Sequence, residues 1–271
     1  QVDFPRRQRK GRIMFDIFVS YWWQFCILAV ICYFVGNINF AVIFSRLIQK
    51  RDVRTCGSGN AGATNMFRVF GLRMGVLTFT CDCLKGVVCC LSAKYIFALL
   101  GEQTAVQAQY FAGLFVVLGH IFPVLYGFRG GKGVAASIGV LLVNQPILML
   151  CCIIPAIVII LISDRMSVFA ILTSLFMIIW CWTVMYADIG AFASAAFTLM
   201  FVSVIFAHRH NIARIFTGKE SRLGVLKALR GKSEHRLREL KEREERRNAA
   251  QHDDGASEEA NASEENENGG E

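Results

Sequence analysis

Clustered acidic residues are missing from most of this 271-residue sequence. The last 24 residues hold eight of its 21 acidic side chains and no Lys or Arg. The polar patches of the chain that are described below have only Asp82, Asp164 and Glu220 near them, and none of these three has an adjacent acid. A hard-cation site needs several oxygen ligands together, and paired-carboxylate hydrolysis needs two acids. The shortage argues against both kinds of chemistry.

Common catalytic and metal-binding signatures are missing as well. The sequence contains no G-x-S-x-G nucleophile elbow, no H-E-x-x-H helix and no Walker phosphate loop. Its ten cysteines occur singly or as adjacent pairs inside apolar runs, without metal-ligand spacing. That usage is typical of small buried hydrophobic residues rather than of zinc ligands or a disulfide framework. We therefore expect neither a metal nor a cofactor.

Apolar residues dominate what is present, at 54% of the chain with a mean hydropathy of +0.44. This exceeds the share that a soluble domain normally carries. Each apolar run but one has about the length that crosses a bilayer once, and the runs are 25–48, 72–100, 105–126, 134–163, 166–187 and 190–207. The sequence predicts an all-α, polytopic integral membrane protein whose partner is the lipid bilayer and not a nucleic acid.

The number of crossings depends on the 30-residue run 134–163, which Asn144-Gln145-Pro146 interrupts. Counted once it gives six crossings, and counted as 133–144 plus 146–163 it gives seven. Seven crossings put the basic loops on one side, and the opposite loops then contain no Lys or Arg. The positive-inside rule favours this arrangement, with the basic side cytoplasmic. The basic head 6–12 resists it, unless that head lies on the surface or an upstream segment is missing.

Composition divides the chain into four regions. Residues 1–24 form a basic, aromatic-rich lead-in at the membrane interface, and 25–218 form the membrane domain. Residues 219–247 carry mixed charge and are predicted to form a solvated helix or one that lies against anionic headgroups. The acidic stretch 248–271 is predicted to be disordered.

Residues 57–65, Gly-Ser-Gly-Asn-Ala-Gly-Ala-Thr-Asn, lie between two apolar runs and should form neither a stable helix nor a buried strand. One interpretation is a flexible connection between membrane helices. The other is a nest of backbone N–H groups that binds an anion, because glycine lets a ligand approach the main chain closely. Arg68 follows within a turn and adds a planar cationic donor. Polarity without acidity favours the anion site.

Further polar patches are predicted to converge on the same side of the membrane. They are a second glycine loop, 127–133, the segment 208–214, and the pair Asp82/Lys85, which lies three apart on one helix face. Ionisable groups inside a membrane segment point to function by default, although a purely structural pair remains open. Two glycine loops with several cations indicate a phosphate-bearing substrate.

Five motifs, taken in order, resemble those of the bacterial acyl-phosphate:glycerol-3-phosphate acyltransferase family, PlsY, over about residues 30–224. They are the 57–65 loop with Arg68, Asp82-x-x-Lys85-Gly86, Gly119-His-Ile-Phe-Pro123, Gly130-Gly-Lys-Gly133 and His208-Arg-x-Asn-Ile-x-Arg214. Asn39 stands where the family often has proline. The HxxxxD motif of other glycerolipid acyltransferases does not occur here.

The resemblance implies an inner-membrane enzyme with seven crossings and a cytoplasmic active site. It would transfer a fatty acyl group from acyl phosphate to the sn-1 hydroxyl of glycerol 3-phosphate, giving lysophosphatidic acid and phosphate. Functional coupling to the enzyme that makes acyl phosphate is also expected. A membrane transporter or binding protein for a phosphorylated anionic solute is the alternative, but such transporters usually show internal repeats, and no segment here resembles another.

Carried over by motif position, the 58–65 loop would hold the phosphate of the acyl donor through its backbone. The predicted catalytic residues are Ser58, Arg68, Lys132, His208 and Asn211. The predicted substrate-binding residues are Gly57, Gly59, Asn60, Gly62, Thr64, Asn65, Lys85, His120, Gly130, Gly131, Gly133, Ser167 and Arg214. The family uses no protein nucleophile, so the donor phosphate can take the hydroxyl proton, with His208 as general base the rival mechanism.

Overall fold

The structure is a computed structural model that describes residues 19–222. These residues form helices that are connected by turns and loops. The all-α prediction is confirmed for these residues. Most of the basic lead-in, most of the mixed-charge region 219–247 and the whole acidic tail 248–271 lie outside them.

The helices follow one another with few residues between them. In chain order they are α1 Trp22–Asn37, α2 Phe40–Leu47, α3 Ala63–Ala98, α4 Glu102–Ile121, α5 Val134–Asn144, α6 Pro146–Cys151, α7 Ile153–Ser163, α8 Met166–Trp180, α9 Tyr186–Ala207 and α10 Arg209–Phe216. Two 3₁₀ turns, Val53–Thr55 and Val124–Tyr126, precede the two glycine loops. A π-helical turn, Cys181–Met185, joins α8 to α9.

Five helical stretches of the described chain are long and apolar enough to cross a membrane. They are Trp22–Leu47, Ala63–Ala98, Glu102–Tyr126, Pro146–Ser163 and Met166–Ala207, and Val134–Asn144 is a shorter apolar helix. The prediction of seven exceeds this count by two. The predicted segments 166–187 and 190–207 fall within the single 42-residue stretch, and the predicted crossing 133–144 corresponds to the shorter helix Val134–Asn144.

That 42-residue stretch folds back on itself at Gly190, where φ is +76°. Trp182 Nε1 donates to Thr198 Oγ1 at 2.9 Å, although residues 16 apart on a straight helix would be separated by about 24 Å. The side chain of Gln107 fixes the reversal, since it donates to Ile189 O and accepts from Ala193 N. Glycine is needed at the reversal because a side chain is strained at this φ.

A similar break occurs at Gly71, at the end of the stretch 49–71 between the first two predicted apolar runs. This stretch was predicted to be a polar loop. Residues from Ala63 to Phe70 are helical, and they turn back so that Phe67 packs against Gly75. Gly71 has a φ of +84°, which allows the reversal. The sequence prediction counted Ala63, Thr64 and Asn65 as loop because it read the whole polar run as one unit, whereas Gly62 ends the loop and begins the helix.

Helix α4 lies at the centre and packs against α1, α3, α5 and α9. It meets α1 at Gly119 and Gly36, where a Cβ on Gly119 would overlap the carbonyl oxygen of Tyr33. Small residues of this kind let membrane helices approach closely, which compensates for the lack of a hydrophobic driving force in lipid. The α1–α4 contact therefore depends on the absence of a side chain.

We predict that Gly119→Val lowers the melting temperature of the detergent-solubilised protein by about 5 °C or more, because the new side chain must push the α1 backbone away. Ala195→Val, at an exposed alanine of α9, is the control and should melt like the wild type. Differential scanning fluorimetry measures both. Equal melting temperatures for all three proteins would show that the contact does not depend on Gly119.

Candidate active site

A cavity of about 450 Å³ opens at the end of the bundle where both glycine loops lie. Its volume falls in the range of small-molecule sites. Five segments line this cavity together with Asp82, and they are 58–68, 120–122, 128–135, 166–169 and 207–221. Phe79 and Ile138 add apolar surface on one side. Patches more than 100 residues apart in sequence therefore share one site.

The first glycine loop is held in shape by Asn65, which is 1% exposed. Its Oδ1 accepts from Ser58 N at 2.9 Å, and its Nδ2 donates to Val53 O and Cys56 O at 3.1 and 3.0 Å. Gly57 and Gly59 have φ values of +58° and +70°, which favour glycine. Asn65 was predicted to bind substrate, but its hydrogen bonds go to the loop itself.

The loop ends at Gly62, where α3 begins and points its N-terminus at the cavity. The first N–H groups of a helix have no acceptor within the helix, and together with the helix dipole they favour an anion. The loop is also tied to the α1–α2 break, since Asn39 accepts from Val42 N and donates to Ala61 O. Asn39, where the family often has proline, therefore caps helix α2 and also holds the loop through its hydrogen bond to Ala61.

The second glycine loop carries Lys132 into the same cavity. Gly131 N donates to His120 O at 3.1 Å, and Gly133 turns the chain into α5 with a φ of +85°. Gly130 and Gly131 have no room for a side chain, because a Cβ there would overlap the backbone or the ring of His120. The loop is thus packed tightly on the end of α4.

Lys132 is part of a chain of hydrogen bonds that ends on a carboxylate. Its Nζ donates to Asn211 Oδ1 at 2.5 Å, and Asn211 Nδ2 donates to Glu220 Oε1 at 2.6 Å. Ser167 Oγ donates to the same Oε1 at 2.7 Å, and Arg214 Nε donates to Oε2 at 2.8 Å. Burial lowers the pKa of Lys132 to about 8, although the charge of Glu220 opposes this.

His208, 3% exposed, follows directly after α9. Its Nδ1 is 2.8 Å from Val204 O, and because a carbonyl can only accept, Nδ1 carries the proton. Burial lowers the pKa of His208 to about 4, so the ring is neutral at pH 7 with Nε2 as an acceptor.

Beneath the cavity, Asp82, Lys85 and His120 form a buried cluster. Lys85 Nζ lies 2.9 Å from Asp82 Oδ1 and 2.8 Å from His120 Nδ1. The same ammonium donates to Gly36 O and Ile38 O, at 3.1 and 2.9 Å, at the end of α1. The cluster therefore joins α1, α3 and α4 directly below the loops.

The structure brings together around the cavity all the predicted site residues except Gly57 and Lys85. Gly57 packs against Asn65 within the loop, and Lys85 lies off the cavity because its ammonium is used by Asp82 and the α1 carbonyls. Ser58, Arg68, Lys132, His208 and Asn211, the predicted catalytic set, all line it.

The predicted catalytic and substrate-binding sets omit several polar residues that line the cavity, and these are Asp82, Arg129, Arg209, His210, Glu220 and Ser221. Ser221 Oγ accepts from Arg68 Nη2 at 3.3 Å. Glu220 was noted only as one of the few acids near the polar patches. Its isolation among cations was the one available signal, and no periodic pattern connects it to Ser167, which is 53 residues away.

Comparison with known proteins agrees with this geometry. The family model for glycerol-3-phosphate acyltransferase matches residues 26–218. A glycerol-3-phosphate acyltransferase of Finegoldia magna is 38% identical over 198 residues, covering 73% of this chain and 96% of the relative. That of Agrobacterium fabrum is 39% identical over 197 residues, covering 72% and 90%.

A crystal structure of PlsY, an integral membrane glycerol 3-phosphate acyltransferase in its glycerol 3-phosphate form, is also similar. It superposes with a TM-score of 0.67 at 32% identity, covering 76% of this chain and 98% of that one. The residues matched by the family model, 26–218, include both glycine loops. The chain belongs to the glycerol-3-phosphate acyltransferase family.

Proposed function

We propose that the protein transfers an acyl group from acyl phosphate to the sn-1 hydroxyl of glycerol 3-phosphate. The products are lysophosphatidic acid and inorganic phosphate. The observation that carries the proposal is the composition of the cavity. The first glycine loop, the N-terminus of α3 and the side chains of Arg68 and Lys132 all line it.

Two phosphate groups have to be held at once in this reaction, and the cavity offers two kinds of anion site. The loop 58–62 with the start of α3 suits the phosphate of the acyl donor. Arg68, Lys132 and Arg214 suit the phosphate of glycerol 3-phosphate, because guanidinium and ammonium groups form charge-assisted hydrogen bonds with phosphate oxygens. Phe79, Ile138 and Phe169 line the apolar side, where the acyl chain leaves the polar groups.

In the reaction, the sn-1 oxygen of glycerol 3-phosphate attacks the carbonyl carbon of the acyl donor. The bond from that carbon to the phosphate oxygen breaks, and the leaving phosphate accepts the hydroxyl proton. Acyl phosphate is already an activated donor, so positioning and charge stabilisation by the cavity supply most of the rate. A histidine with a pKa near 4 is a weak base for an alcohol, which favours the phosphate as the proton acceptor.

We further propose seven crossings for the membrane domain 25–218, with the cavity facing the cytoplasm across an inner membrane. Both ends of the segment between Gly133 and Met166 line the cavity, which supports two crossings within it. The reversal at Gly190 supports two crossings between Met166 and Ala207. The proposed functional partner is an enzyme that produces acyl phosphate, since acyl phosphate enters from the cytoplasmic side.

The donor test comes first. Purified full-length protein given palmitoyl phosphate and glycerol 3-phosphate should produce lysophosphatidic acid and phosphate in equal amounts, and none with palmitoyl-CoA. Arg68→Ala should lower kcat/KM by roughly 10- to 100-fold, because hydrogen bonds to charged groups are lost. Arg73→Ala, at an exposed arginine of the same helix, is the control. No product, or vesicle uptake of glycerol 3-phosphate without chemistry, would contradict the proposal and favour a transporter.

The pKa of Lys132 predicts the pH dependence. Since that pKa is lowered to about 8, the side chain is a positively charged ammonium below pH 8 and loses its charge above pH 8. The kcat/KM for glycerol 3-phosphate should therefore fall on the alkaline side with a midpoint near 8. Lys132→Arg keeps the charge at all accessible pH values, so its profile should stay level through pH 9. An identical alkaline limb in both proteins would assign the titration to another group.

His208→Gln tests the rival mechanism. If the donor phosphate takes the proton, the variant should keep its kcat within about tenfold and show a raised KM for glycerol 3-phosphate, because the amide replaces a binding contact only in part. Steady-state kinetics with both substrates varied measures this. A fall in kcat of roughly 100-fold or more with KM unchanged would make His208 the general base.

A further inference from the structure

Two carboxylates, Asp82 and Glu220, are among the residues that line the cavity, and Asp82 is already paired with Lys85. Glu220 is 7% exposed and lies in the segment 217–222 directly after α10, from which Glu220 and Ser221 line the cavity. Burial acts to raise the pKa of Glu220, but hydrogen bonds from Asn211, Ser167 and Arg214 outweigh it and lower the pKa. The group is therefore a buried anion at neutral pH, and it weakens the positive field that a phosphate would meet.

The contacts of Glu220 all go to side chains that were predicted to bind substrate. Asn211 and Ser167 donate to Oε1 at 2.6 and 2.7 Å, and Arg214 donates to Oε2 through Nε at 2.8 Å. These three residues come from two separate helices, α8 and α10. One carboxylate thus joins Ser167 of α8 to Asn211 and Arg214 of α10.

Glu220 also fixes the orientation of the Asn211 amide, and this orientation determines the contact with Lys132. An amide has a donor end and an acceptor end, and Glu220 as an anion accepts only from the donor end. The carbonyl end is therefore turned toward Lys132 Nζ, which donates to it at 2.5 Å. If the amide flipped, NH₂ would face the ammonium and oxygen would face the carboxylate, and both contacts would become repulsive.

We propose that Glu220 is a positioning residue for glycerol 3-phosphate. It orients Ser167, Asn211 and Arg214 directly, and it orients Lys132 through the Asn211 amide. This inference rests on the proposed function. The contact with Arg214 uses Nε, which does not occupy the terminal nitrogens of the guanidinium that grip a phosphate.

A different role for Glu220 would change the affinity for glycerol 3-phosphate in the opposite direction. If the carboxylate only filled the phosphate site until substrate displaced it, removing its charge would strengthen the binding of glycerol 3-phosphate. If it positions the donors, removing its charge weakens binding. The direction of one measured affinity therefore decides between the two.

Lys132 supplies a second readout that a merely structural role would not change. The charged or titratable groups that face it are Glu220, Arg214, Arg68 and His208, and Glu220 is the one anion among these four. Loss of that negative charge destabilises the ammonium, so the midpoint of the alkaline loss of binding should move to lower pH by roughly 0.5 or more.

The experiment is isothermal titration calorimetry of glycerol 3-phosphate with the full-length protein in detergent, from pH 6.5 to 9.5. Three variants are compared with the wild type. Glu220→Gln keeps the shape but removes the charge, and Glu220→Asp keeps the charge but is too short to reach all three donors. Glu102→Gln is the matched control at an exposed glutamate in the first turn of α4. Melting temperatures are recorded for each protein.

We expect Glu220→Gln to bind about tenfold more weakly or worse and to shift the alkaline midpoint downward. Glu220→Asp should also bind more weakly but keep the wild-type midpoint, and Glu102→Gln should match the wild type in both. Unchanged or tighter binding by Glu220→Gln overturns the proposal. If that variant is unfolded by its melting curve, Glu220→Asp decides, and wild-type affinity in it overturns the proposal.

These binding data do not depend on the acyl donor, which separates the two claims. Wild-type protein that binds glycerol 3-phosphate but forms no product from palmitoyl phosphate would contradict the proposed donor and leave the Glu220 result valid. Wild-type protein that does not bind glycerol 3-phosphate would overturn both.

Discussion

The buried contact among Asp82, Lys85 and His120 supports the rest of the site. An ion pair inside a membrane protein is expensive, and removing one partner leaves an uncompensated charge at a cost of about 3–5 kcal/mol. Here the pair also satisfies the carbonyl groups at the end of α1, and the second glycine loop hydrogen-bonds to the backbone of His120. One desolvated cluster therefore ties the ends of α1 and α4 to the middle of α3, and the second glycine loop packs on that end of α4.

Much of this architecture could be predicted from sequence because membrane helices and glycine loops leave local signals. The length of the apolar runs predicted the helices, and loop charge predicted that the 57–65 loop and Lys132 share a side. The motif order identified the family, which the comparisons bear out. Local signals failed at Gly71, where a positive φ reverses a helix inside a polar run. A glycine in such a run shows no periodic pattern that separates a kink from a loop.

Other parts of the site could not be predicted, since they depend on contacts between distant residues. The sequence singled out Asn65 and Lys85 as polar residues in a motif, but only the fold shows that their hydrogen bonds go to the protein's own backbone. Glu220 shows the reverse case. A lone acid in a basic stretch is usually solvated, and its partners, Ser167 and Asn211, are identified only once the fold brings the start of α8 and α10 to the same carboxylate.

The link between Lys132 and Asn211 also bears on how the protein is made. Its two residues are 79 positions apart, and the chain must complete the reversal at Gly190 before they can meet. During synthesis from the N-terminus, both glycine loops are therefore finished well before the cavity exists. A nascent chain that stops before residue 208 contains every backbone donor of the first loop and has no enclosed site. Among the described residues, the cavity is complete only once α10 and the segment that follows it have formed.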